Sequence, residues 1–89
     1  MAHADADALQ RLLPVLRQLR DLKGLREMKP GIFYLKGSAF LHFHEEGDAL
    51  VADLKNARGG FDRYPADTPP GQRKLIDEAK RRVSRSDED

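Results

Sequence analysis

The sequence predicts a single α+β domain: an N-terminal helix, a three-stranded antiparallel meander with a candidate fourth short strand, and a C-terminal helix. Three observations carry this reading. Leucines recur three or four apart near the N-terminus, glycine-punctuated aromatic and branched runs fill the middle, and an amphipathic stretch closes the chain. Eighty-nine residues suit one domain with a small core.

The first helix is expected over residues 6–23, where Leu9, Leu12, Leu13, Leu16, Leu19 and Leu22 form a stripe between Arg11, Arg17, Gln18, Arg20 and Asp21. Asp5 or Asp7 can cap its start, and Gly24 supplies a left-handed residue beyond its end. Pro14 deletes a backbone hydrogen bond, so the rod should kink there or restart near Leu13. The leucine spacing never settles into heptads, which excludes a leucine zipper.

Beyond Lys29-Pro30-Gly31 the period changes, and strands are expected over residues 32–36, 39–44 and 48–54. Gly37-Ser38 reads as a two-residue hairpin loop, and Glu45-Glu46-Gly47 as a three-residue loop whose glycine takes a positive φ. Residues 61–64 make a candidate edge strand before Pro65. Thr68 can cap a last helix with Pro69 or Pro70 in its first turn, running to about Ser84 with Leu75, Ile76, Ala79 and Val83 inward. The domain is thus expected over residues 1–84, with 85–89 a polar, disordered tail.

These loops set the facing of the central strand. Phe40, His42 and His44 share one side, and Ala39, Leu41 and Phe43 the other. The preferred loops put Leu35 opposite Phe40, Phe33 opposite His42, His44 opposite Asp48 and His42 opposite Leu50. A two-residue second loop pairs His42 with Val51 instead and sets Asp53 across from Phe40. One residue of slip flips every side chain of the third strand, so the turn decides. The other face, with Ile32, Leu41, Phe43 and Val51, needs cover from a helix or from the same face of a second chain, hence an expected homodimer through a sheet face.

Composition narrows the function classes. There is no cysteine, which removes disulfides, thiolate metal sites and thiol nucleophiles and suits a reducing compartment. No window reaches the roughly 18 apolar residues of a membrane span, and the opening MAHADADALQRLLP has no basic leader, so a cytoplasmic protein without a membrane partner is expected. A net charge of +1 is far from that of a dedicated nucleic-acid binder.

His42-Phe43-His44 is the candidate metal motif. A His-x-His strand places both imidazoles on one side, and Asp48 or Glu46 can add a carboxylate, a set suited to a divalent metal such as zinc. The pattern is similar to the cupin metal motif, but Gly37 lies too close to His42, Glu45 and Glu46 follow too soon, and the chain is too short for that barrel. Ser38, Ser84 and Ser86 lack a nucleophile elbow, and no residue pattern points to catalysis. The basic candidates for phosphate contact are Lys55, Arg58, Arg63, Arg73, Lys74, Lys80 and Arg81. Much of that charge has a partner four residues away: Arg73 with Asp77, Lys74 with Glu78, Asp77 with Arg81, and Glu78 with Arg82.

The run GIFYLKGSAFLHFHEEGDALVADLK followed by FDRYP resembles a group of short bacterial proteins of unknown activity that share an FYxK strand, an FLHFHE strand and an FxRYP segment. That resemblance spans residues 31–83 and implies no activity. From Leu22-Lys23-Gly24-Leu25 through the meander the chain is similar to the YjbR/MmcQ family of small α+β proteins, which implies DNA binding. It is shorter than those, has Lys23 where they tend to have proline, and takes no site residues from them.

The function expected first is therefore a small non-enzymatic interaction module without a cofactor, its protein partner not identified. Metal binding through the His42/His44 strand comes second, and weak nucleic-acid binding through the basic C-terminal helix third.

Overall fold

A computed structural model describes residues 2–3 and 5–87, with side chains over 5–86. The fold is α+β: β1 (Ala2–His3), α1 (Ala6–Arg11), α2 (Leu13–Arg20), β2 (Leu25–Lys29), β3 (Ile32–Leu35), β4 (Ser38–Glu46), β5 (Ala49–Lys55), β6 (Phe61–Pro65) and α3 (Pro69–Asp87). Strands β2 to β6 form an antiparallel meander in chain order, and β1 adds a backbone pairing to β4, with His3 opposite His44. The backbone of His3 is thus tied to the middle of the sheet.

The N-terminal helix restarts at Leu13, with Pro14 in the first turn of α2, where its missing N–H costs nothing. Asp5 is the cap, its Oδ1 accepting from Ala8 N at 2.9 Å. Thr68 Oγ1 accepts from Gly71 N at 3.2 Å at the start of α3, which extends past Ser84 to Asp87. Residues 85–87, expected in a disordered tail, are helical, whereas 88 and 89 lie outside the described residues.

The meander has five strands where three, with a candidate fourth, were expected. Residues 61–64 do form a strand, and β2 is the addition. Its sequence LREMK has no alternation to read, because at the sheet edge only Leu25 is buried and Met28 is 61% exposed. Arg26, Glu27 and Lys29 give that edge the charge that discourages pairing with another chain.

Both hairpin loops differ from expectation. The first is Lys36-Gly37, with φ of 53° and 82°, the double positive φ of a type I′ turn. The second is Gly47-Asp48 with Glu46 opposite Ala49, so Gly47 does take positive φ, but in a two-residue loop. A bulge between β3 and β4 then sets Tyr34 opposite Ala39 and Phe33 opposite Leu41, leaving Phe40 as the extra residue. Phe40 and Leu41 are consequently both buried, and His42 turns to the opposite face, across from Ile32.

All three helices cover one face of the sheet. Phe33, Leu35, Leu41, Phe43, Leu50, Ala52 and Leu54 meet Leu12, Val15, Leu16 and Leu19 of the N-terminal helices and Leu75, Ile76, Ala79 and Val83 of α3. Leu41 and Phe43 therefore belong to the core and not to a face awaiting a partner. The register leaves His42, His44, Val51, Asp53, Phe61 and Arg63 on the other face. Among the described residues, no helix is long and apolar enough to cross a membrane.

Candidate metal centre

The open face holds a cluster that the corrected register creates. His42 lies directly opposite Asp53, and His44, two residues along β4, lies opposite Val51 on the same side. Both Nε2 atoms reach one carboxylate oxygen: His44 Nε2 is 2.9 Å and His42 Nε2 3.2 Å from Asp53 Oδ2. The rings are tilted at 34° with centroids 5.6 Å apart. One candidate ligand atom from each of the three residues lies within 4.8 Å of the other two.

Burial differs across the trio. The His44 side chain is only 3% exposed, Asp53 16% and His42 30%, so the cluster opens to solvent on the His42 side. There Phe61 meets the His42 ring edge-on at a centroid distance of 5.6 Å. Arg63, opposite Asp53 on β6, donates to Glu46 Oε1 at 2.8 Å and brings its Nε within 3.8 Å of Asp53 Oδ1. Its side chain thus bridges from β6 to β4 across β5, over the neighbourhood of Val51 and His44.

One polar atom stands out. His44 Nδ1 is buried with no hydrogen-bond partner among the described residues, and the nearest acidic oxygen, Glu46 Oε2, is 4.0 Å away. A buried unpaired acceptor or donor costs about 1–3 kcal/mol, so a core selected for stability alone has little use for it.

Chemically, the trio offers two imidazole nitrogens and one carboxylate oxygen. That is the donor set of the two-histidine, one-carboxylate sites that hold divalent iron, and it also suits zinc and manganese. Nitrogen-to-oxygen distances near 3 Å describe hydrogen bonds, and with small ring shifts they also describe neighbouring ligands around one ion at about 2.0–2.2 Å. With three protein donors, positions remain on the ion for water or a further ligand.

His42 and His44 do converge, but on Asp53 and not on the acids expected from the sequence. Asp48 sits exposed in the second hairpin loop, and Glu46 is held by Arg63 on the Nδ1 side of His44, away from the point where the two Nε2 atoms meet. Asp53 shares the histidine side only when the loop has an even number of residues, so Glu45-Glu46-Gly47 as a loop concealed it.

The basic residues divide. Lys55, Arg58 and Arg81 line one cavity with Arg82 and Arg85, whereas Arg63 belongs to the face of the histidine cluster and Arg73, Lys74 and Lys80 stand on the exposed side of α3. Among the described residues, the expected pairs Arg73–Asp77, Lys74–Glu78 and Asp77–Arg81 do not close. Arg81 turns to Glu78 at 2.7 Å, while Arg82 reaches Glu78 at 3.5 Å and Asp62 at 2.8 Å. No family model, curated protein or solved structure matches this chain.

Proposed function

We propose that this protein binds a divalent first-row transition metal through His42, His44 and Asp53. The observation behind this reading is the convergence of two imidazole Nε2 atoms on a single carboxylate oxygen at an open sheet face. Deprotonated imidazoles and an ionised carboxylate supply the donors such an ion prefers, and with Nε2 on the ion the Nδ1–H of His44 would turn to Glu46 Oε2, 4.0 Å away.

The test is a titration of the purified protein with zinc and cobalt. One ion per chain is expected, with a cobalt absorption spectrum of nitrogen and oxygen ligation. His42→Ala and Asp53→Ala should each weaken binding by more than the roughly 10–100-fold that loss of an outer hydrogen-bond partner costs. Sub-stoichiometric binding, or affinity unchanged in both variants, reduces the trio to a hydrogen-bonded clasp between β4 and β5.

A role as an interaction module is the second reading, and Phe61 favours it. This ring is 43% exposed on the helix-free face, beside His42. A partner or second copy seated there would cover Phe61 and the metal together. Light scattering with and without metal tests it, and a mass that stays at one chain at high concentration excludes the homodimer.

A further inference from the structure

A second site lies away from the metal face, between the C-terminal half of α3 and the loop after β5. A cavity of about 740 Å³ opens there, within the ordinary range for small-molecule sites. Leu35, Ala39 and Phe40 contribute apolar lining, and Phe40 is in this position because of the bulge.

Among the described residues, arginines outnumber acids around this cavity. Asp62 accepts from Asn56 Nδ2 at 3.0 Å and from Arg82 at 2.8 Å, and Glu78 accepts from Arg81 at 2.7 Å. Arg82 is further pinned, donating to Lys55 O at 2.9 Å and to the Tyr64 hydroxyl at 3.2 Å. Both acids are thus engaged by Arg81 and Arg82. Arg58 and Arg85 also line the cavity and have no acidic oxygen within 4.0 Å among the described residues, although Asp62 lies close enough to Arg58 to feel its charge, whereas Lys55 is in register with Phe61 and turns its side chain to the helix-free face.

The loop carrying Arg58 is organised in advance. Asn56 Oδ1 accepts from Arg58 N at 2.9 Å and Gly60 N at 3.1 Å, while Asn56 N donates to Gly60 O at 2.9 Å. A cation on such a loop loses little freedom on meeting a ligand. Among the described residues, Arg58 and Arg85 stand in excess of the acids around one partly apolar cavity, and an anion with an apolar body would meet both while covering the lining.

We infer that this cavity binds a small organic phosphate with an aromatic or aliphatic body, its phosphate held by Arg58 and Arg85. Guanidinium forks match phosphate oxygens in pairs, and two cations balance a doubly charged head. This site is independent of the metal reading, sharing none of its three ligands.

The experiment is a titration of the isotope-labelled full chain with 1-naphthyl phosphate, followed by amide chemical shifts. Saturable shifts are expected at residues 38–40, 56–60 and 81–86, with inorganic phosphate weaker at the same amides. Arg58 and Arg85 are exposed, so the double variant Arg58→Ala/Arg85→Ala should keep its fold, read from unchanged shifts elsewhere. It should bind at least about tenfold more weakly, the effect of one lost charge-assisted contact. His42→Ala should bind like the parent. Absence of saturable shifts, equal affinity in the double variant, or binding of a single-stranded oligonucleotide without binding of naphthyl phosphate would each overturn the inference, the last by making the patch a nucleic-acid surface.

Discussion

His44 and Asp53 are joined by a 2.9 Å contact between a nearly buried imidazole and a carboxylate on the neighbouring strand, two residues along β5 from the one directly opposite His44. The diagonal leaves the directly opposed position to His42, so one carboxylate serves both rings. A site built this way carries a stability cost that can be measured.

The cost is expected to appear in His44→Leu. This change removes the buried unpartnered Nδ1 and fills the space with carbon, while Asp53 keeps His42 and Arg63. Metal-free stability should stay level or rise by up to about 1–3 kcal/mol, the penalty of an unpaired buried group, while metal binding disappears. Chemical denaturation of the two metal-free proteins checks this; a marked loss of stability would show that His44 is a structural residue.

Phe43 and His42 test the register. Phe43 is 1% exposed and packs under the helices, so Phe43→Ala should cost about 3–5 kcal/mol, a large share of a small domain's stability. His42→Ala, on the open face, should change metal-free stability far less. Comparable losses at both positions would mean that His42 shares the core.

Lys36 occupies the left-handed region at φ 53° ahead of Gly37. A side chain there costs roughly 1–2 kcal/mol, and asparagine pays less of it in a type I′ turn. Lys36→Asn should therefore raise stability by about 0.5–1 kcal/mol, less what is lost with the Lys36 Nζ hydrogen bond to Ser86 O. A thermal melt reads the sign.

Gly71 should not accept a side chain. A Cβ there would collide with the Pro65 carbonyl oxygen, which is backbone and cannot step aside. Gly71→Ala should cost about 1–3 kcal/mol by overpacking where α3 begins against β6. An unchanged melting temperature would show that the α3 start shifts freely.

Acid sensitivity should centre on Glu27 and Asp62. Burial pushes the Glu27 carboxyl up, but the Arg20 hydrogen bond at 2.6 Å, the Gly31 N–H and the Arg20 charge outweigh it and hold Glu27 below its ordinary 4.5. Asn56 and Arg82 hold Asp62 below 3.8. A depressed folded-state value means stability that is complete above the ordinary value and lost as pH falls through the folded one. Melting temperature should therefore drop below about pH 4.5, and Glu27→Gln should flatten the upper part of that drop. An identical profile in the variant would remove Glu27 from the account.

Much of the frame is legible in the sequence because it is local. Leucine spacing marks the N-terminal helix, Pro14 marks its restart, Thr68 marks the start of α3, and Leu75, Ile76, Ala79 and Val83 mark its buried side. Each depends on neighbours within a turn or two of chain. The edge strand β2 is illegible for the same reason, since one buried residue in five makes no pattern.

The candidate site was only half legible. Alternation on β4 places His42 and His44 together whatever the register, so the sequence by itself determined that two imidazoles share a side. Which carboxylate meets them depended on a two-residue loop at Gly47-Asp48, and which face they take depended on a bulge at Phe40. Those are choices between backbone arrangements of similar local propensity, settled by which one buries Phe33, Leu41, Phe43 and Leu50 under the helices. Packing of residues distant in sequence decided them, and Asp53 became the third member of the site as a consequence.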